Sequence, residues 1–227
     1  MARRITNNTY YKDEIYIPHA KPSVTANVTT VSAELDIFIE EYERDALIKC
    51  FGFQLYTLFY VELDDTQTNG LDAGADAKWD DLLNGKSYTN PADDAVAWRG
   101  IRYKAKFADA LPSKSFLANY VFYNYEQNAD IFRTGVGYVK GKGKNVSERS
   151  AVPRVINAWR KMAEIIQGRE FTTTIITNRF GYGVDYYYDN SEVTLYKFIR
   201  DMNDATPDTY PDFKPQYWNV FKNQFGI

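Results

Sequence analysis

The sequence predicts a mainly α fold of the α+β class. It reads as a helical bundle with a β-hairpin or extended loop and extended arms at both ends. Three observations predict it. Apolar residues recur at helical spacing over 32–51, 153–167 and 191–203. Stretches near 134–150 and 171–190, punctuated by glycine or rich in β-branched residues, interrupt the helices. Prolines break the chain near both ends, at Pro18, Pro22, Pro207, Pro211 and Pro215. The expected organisation is an extended arm over 1–30, a helix-rich domain over 31–203 with those two insertions, and a proline-broken tail over 204–227.

The arm carries Ile15-Tyr-Ile-Pro-His and a β-branched, polar run from Asn27. Such a segment either packs along its own domain or reaches to a neighbour. Ser32 is a fitting N-cap for the first helix, with Glu34 and Asp36 in its first turn to suit the dipole. Leu35, Phe38, Ile39, Tyr42, Ala46 and Cys50 line one face, and Gly52 ends it. A second helix follows over 53–63. The Asp-, Gly- and Asn-rich stretch 64–77 is a loop. A short helix occupies 78–83, and the chain is irregular from Pro91 to Gly100.

A helix over about 113–128, capped by Ser113 or Ser115, carries Phe116, Tyr120, Phe122, Tyr123 and Tyr125. So many rings on one helix call for a partner beyond a single core. Glycines 135, 137, 141 and 143 mark an extended segment suited to a hairpin tip. The helix over 153–167 buries Val155, Trp159, Met162, Ala163 and Ile166, and Gly168 ends it. Phe171-Thr-Thr-Thr-Ile-Ile-Thr reads as a strand. Ser191 starts the last helix, with Leu195, Phe198, Ile199 and Met202 on one side.

Composition narrows the functional classes. Aromatics make up 16% of the 227 residues, with 19 Tyr, which suits partly wet interfaces. A single cysteine excludes an intramolecular disulfide, and its place on an apolar helix face marks Cys50 as a small buried hydrophobe. The first residues lack the apolar core of a signal peptide, so synthesis in the cytoplasm is expected. No apolar run is long enough to span a membrane. The net charge of −3 hides two blocks. From Glu62 to Asp94 nine acidic residues face two lysines, a local charge of −7. From Arg133 to Arg169 nine basic residues face two glutamates, a local charge of +7. These are solvated faces, a head-to-tail contact between copies, or a basic surface for nucleic acid.

Catalytic constellations are missing. His19 is the only histidine and lies in the arm, so it has no third group to support a nucleophile pair. One His and one Cys do not make a zinc site. Gly135 and Gly137 miss the phosphate-loop spacing to Gly141-Lys142, and Gly143 stands where Ser or Thr is required. Asp65, Asn69 and Gly70 resemble a calcium loop, but Gln67 and Asp76 depart from it. The acidic pairs Asp64/Asp65, Asp80/Asp81 and Asp93/Asp94 diverge along the backbone and read as surface. The expectation is no enzyme, no cofactor and no metal.

Residues 37–56, Ile-Phe-Ile-Glu-Glu-Tyr-Glu-Arg-Asp-Ala-Leu-Ile-Lys-Cys-Phe-Gly-Phe-Gln-Leu-Tyr, resemble a motif of phage head–tail connectors. In it an acidic amphipathic helix ends in Leu…Gly…Leu-Tyr before a second helix. Trp79-Asp-Asp-Leu-Leu-Asn-Gly-Lys-Ser-Tyr, Trp98-Arg-Gly-Ile, Thr134-Gly-Val-Gly, Asn157-Ala-Trp and the closing Phe221-Lys-Asn-Gln-Phe-Gly-Ile extend the likeness. The version it most resembles is the neck ring protein of crAss-like and related Bacteroidales phages. The resemblance covers about 15–167 plus the C-terminal residues.

The resemblance implies a virion adaptor without catalytic residues or cofactor. It implies a closed ring of about twelve copies below the portal. The ring would join portal to the next neck or tail ring and continue the channel for DNA. Candidate partner anchors are Tyr217, Trp218, Phe221, Phe225 and Ile227, apolar side chains that otherwise cover the subunit's own core. Lys140, Lys142 and Lys144 are candidate contacts to an acidic neighbour or to DNA. Alternative readings are a lower tail ring, a completion protein, or a nucleic-acid-binding module using the basic 133–169 segment.

Overall fold

The computed structural model describes residues 3–18, 20, 29–64, 70–104, 111–129, 132–134, 137–139, 152–168 and 192–218. Among these residues the fold is α+β and helix-rich, with six α-helices and three two-stranded antiparallel pairs. In chain order the helices are α1 (Thr29–Phe51), α2 (Phe53–Val61), α3 (Ala77–Asn84), α4 (Phe116–Ala129), α5 (Val152–Gln167) and α6 (Leu195–Ala205). The strands are β1 (Lys86–Thr89), β2 (Ala95–Trp98), β3 (Arg102–Tyr103), β4 (Lys114–Ser115), β5 (Phe132–Thr134) and β6 (Gly137–Val139).

The N-terminal segment is not a free arm over its described length. Two short 3-10 turns, Asn8–Tyr10 and Asp13–Ile15, lay Ile5, Tyr10, Tyr11, Ile15 and Ile17 into the subunit. The first helix begins at Thr29, inside the expected 1–30 arm. Ser32 is therefore within α1 and not its cap; its buried hydroxyl accepts from Asn8 Nδ2 at 2.6 Å. The helix ends as expected at Gly52, whose φ of +84° only glycine adopts readily. The last turn of α1 leaves carbonyls without helical partners. The C-terminal segment supplies donors: Lys214 N to Phe51 O at 3.0 Å and Gln216 N to Lys49 O at 2.8 Å.

The stretch expected to be irregular after Pro91 is a hairpin. β1 pairs with β2 in the register Lys86↔Trp98 to Thr89↔Ala95. Asn90 Oδ1 shapes the turn by accepting from Ala92 N and Asp94 N, both at 2.9 Å. Val96 and Trp98 point inward, two positions apart as strand alternation requires. Trp98 Nε1 donates to Leu82 O at 2.9 Å, and its ring stacks on Phe198 of α6. The hairpin expected near Thr134-Gly-Val-Gly is present as the β5–β6 pair.

The last helix starts later than expected. Glu192 bridges to Ala97 of β2, and Val193 N donates to Ala97 O, so the chain is still extended there. Thr194 is the cap, its hydroxyl accepting from Lys197 N.

Helix α4 resolves the aromatic surplus inside the subunit. It packs on α1 on one side and on α5 on the other. Phe116, Leu117, Tyr120 and Tyr123 enter the main core with α2, α3, α6 and Trp218. Ala118, Val121 and Phe122 enter a second core with the N-terminal segment, Leu35, Ile39 and Ala158. The partner those rings required is this chain itself. Ser115 caps the helix, accepting from Leu117 N while donating to Ile101 O.

Candidate interaction surface

A groove of about 670 Å³ runs between α1 and α2, with Arg3 and Ile5 closing one side. Its rim holds Ile37, 65% exposed, and Phe53, 63% exposed. Glu40 and Glu41 stand along the same wall. Leu58 and Val61 of α2 are exposed as well. Neither Ile37 nor Phe53 was marked by the α1 face pattern. Ile37 lies off the stripe Leu35, Phe38, Ile39, Tyr42, and an apolar residue off the stripe was the available signal.

Glu43 also lines this groove and is buried. Its carboxylate accepts from Ile5 N at 3.0 Å, from Thr6 N at 2.8 Å and from the Thr6 hydroxyl. Burial pushes its carboxyl from the usual carboxylate range up to about 7, against the pull of these donors and of Arg4. A signal lay in the sequence here too. Leu35, Ile39, Glu43 and Leu47 follow one another at intervals of four, so the acid sits on an apolar row.

The anchors expected in the tail divide. Trp218 is 6% exposed and belongs to the main core. Its ring meets Tyr120 and Trp159 edge-on at 5.4 and 5.6 Å, and its Nε1 donates to Tyr196 Oη. Gln167 holds its backbone, accepting from Trp218 N at 2.7 Å and donating to Trp218 O. As a surface anchor Trp218 is corrected to a core residue. Tyr217 is 61% exposed, and its hydroxyl accepts from Arg200 at 2.8 Å. Phe221, Phe225 and Ile227 lie outside the described residues, as do Lys140, Lys142, Lys144, His19 and the 171–190 segment.

Among the described residues, some of the block charge is engaged within the subunit. Asp72 faces Arg3 at 3.8 Å, and Lys86 pairs with Asp81 at 2.6 Å. From α5, Arg154 donates to the carbonyls of Glu14 and Tyr16, and Lys161 pairs with Glu14. A second, polar cleft between the N-terminal segment and β3–β4 is likewise crossed by the Lys114–Asp13, Lys161–Glu14 and Arg99–Glu192 pairs.

Burial pushes the Cys50 thiol well above its ordinary range, so at neutral pH it is protonated. Among the described residues no three His, Cys, Asp or Glu side chains gather to hold a metal ion. Residues 65–69 of the calcium-like loop lie outside them. No helix of the described residues is long and apolar enough to cross a membrane. No protein-family model matches the chain, and neither a curated protein nor a solved structure does.

Proposed function

We propose that this chain is a structural subunit of a tailed-phage virion. In this reading it is an adaptor that forms a ring of about twelve copies in the head-to-tail neck. The ring joins the portal to the next ring and continues the DNA channel, without catalysis or cofactor. The observation that carries the reading is the α1–α2 groove. Its Gly52 junction, with Leu55 and Tyr56 buried behind it, is the part of the chain that resembles the connector motif. Its rim exposes Ile37 and Phe53, the kind of apolar surface that neighbouring subunits cover. Tyr217, followed by Phe221, Phe225 and Ile227, supplies further candidate contacts to the portal or the next ring. Lys140, Lys142 and Lys144 are candidate contacts to a neighbour or to DNA.

The test is the mass of the purified protein in solution, alone and mixed with the portal of its own phage. A ring, or a monomer that assembles only on the portal, is the expected result. A monomer that ignores the portal overturns the reading. Labelling the subunit in intact particles distinguishes the neck from a lower tail ring.

A further inference from the structure

We propose that residues 3–17 form a strap that docks and undocks as a unit, and that the charge on Glu43 sets the docking equilibrium. The strap lies across α1, α4 and α5. Its residues Tyr10, Tyr11, Ile15 and Ile17 pack in the second core, and Ile5 enters the main one. Further ties include the buried hydrogen bond from Asn8 to Ser32, Arg3 to the carbonyls of Tyr60 and Val61, Arg4 to Asp36, and Arg154 to the carbonyls of Glu14 and Tyr16. The pairs of Asp13 with Lys114 and of Glu14 with Lys161 are exposed, and such pairs hold weakly.

The central tie is Glu43. The hydrogen bonds its carboxylate accepts come from Ile5 and Thr6, two adjacent residues of the strap. Charged or titratable groups facing it include Arg4, Tyr10 and Tyr11 of the strap and Tyr56 of α2, and the groove it lines also holds Arg3, Glu40, Glu41, Arg44 and Tyr60. Arg4 is itself bound to Asp36. Undocking opens the carboxylate to the water of the α1–α2 groove, where it ionises as an ordinary glutamate. Docking therefore takes up a proton wherever the docked carboxyl is neutral and the free one is ionised. With the docked group titrating at about 7, docking is strongest in acid. It weakens by roughly tenfold per pH unit between about pH 5 and pH 7, and is level above that. The latch belongs to this fold whether or not the chain forms a ring.

Amide hydrogen exchange of the full chain between pH 5 and 8.5, corrected for the intrinsic rate, tests this. The expected result is that protection of residues 3–17 falls as pH rises to about 7 and then levels, while the amides of α4 hold theirs. Glu43→Gln removes the slope. If that variant does not fold, Thr6→Val serves: losing a donor to the charged form moves the midpoint to higher pH. Strap protection that ignores pH overturns the proposal. So does a strap that opens only together with α4, a slope that survives Glu43→Gln, or an unmoved midpoint in Thr6→Val.

Discussion

Gly85 stands between α3 and β1 with φ of +95°, and a Cβ there would lie 2.5 Å from Trp98 O and 2.6 Å from the Arg99 carbonyl carbon. Both obstacles are backbone atoms at the end of β2 and just after it, so no side-chain rotation relieves them. Gly85→Ala is expected to cost about 3 kcal/mol, combining left-handed strain with overpacking. A urea melt of the lone subunit reads it as a lower midpoint with an unchanged slope. Asn84-Gly85 announced a helix end in the sequence, but the close approach of Trp98 came from a hairpin the sequence did not announce. Glu43 has the same character. Its row with Leu35, Ile39 and Leu47 was legible, while its donors sit 37 and 38 residues away. No local pattern carries a contact of that range.

At the scale of elements, legibility followed amphipathicity. In α5 and α6 most of the expected faces over 153–167 and 191–203 are buried: Trp159, Met162, Ala163, Ile166, Leu195, Phe198 and Ile199, with Val155 and Met202 half-buried; Ala158, Ile165 and Tyr196, outside those faces, are buried as well. The β1–β2 hairpin was lost because Lys86-Ser-Tyr-Thr is polar and mostly exposed, and its turn contains Pro91 and two aspartates. Only Val96 and Trp98 alternate, too short a run to declare a strand. The C-terminal segment divides by residue rather than as an element, and this gives a paired test. Trp218 fills the core, so Trp218→Ala is expected to cost about 4 kcal/mol in the isolated subunit. Tyr217 is mostly exposed, so Tyr217→Ala is expected to cost under about 1 kcal/mol. Thermal unfolding of both variants checks the pair. A large loss at Tyr217 and a small one at Trp218 would reverse the assignment of the two rings.

Across the whole molecule, the position of α4 between two cores explains how the subunit itself covers the rings of that helix. A helix with rings on several sides is expected at an interface only when its own chain does not surround it, and here α1 and α5 do. Among the described residues the α1–α2 groove is a surface whose rim leaves large apolar side chains uncovered, and it separates assembly from stability. Phe53 opens α2 just after Gly52, where an acidic side chain suits the helix dipole. Ile37 is equally exposed on α1. Phe53→Glu and Ile37→Glu are therefore expected to leave the melting of the lone subunit within about 0.5 kcal/mol of the parent. If the groove is where copies or the portal meet, each introduced charge is desolvated in an apolar contact, and ring formation is lost or weakened at least tenfold. Light scattering of the variants with and without portal reads the difference. Full assembly by both variants would move the contact surface away from this groove. Loss of assembly together with loss of folding would show that the two rims serve the subunit's own core.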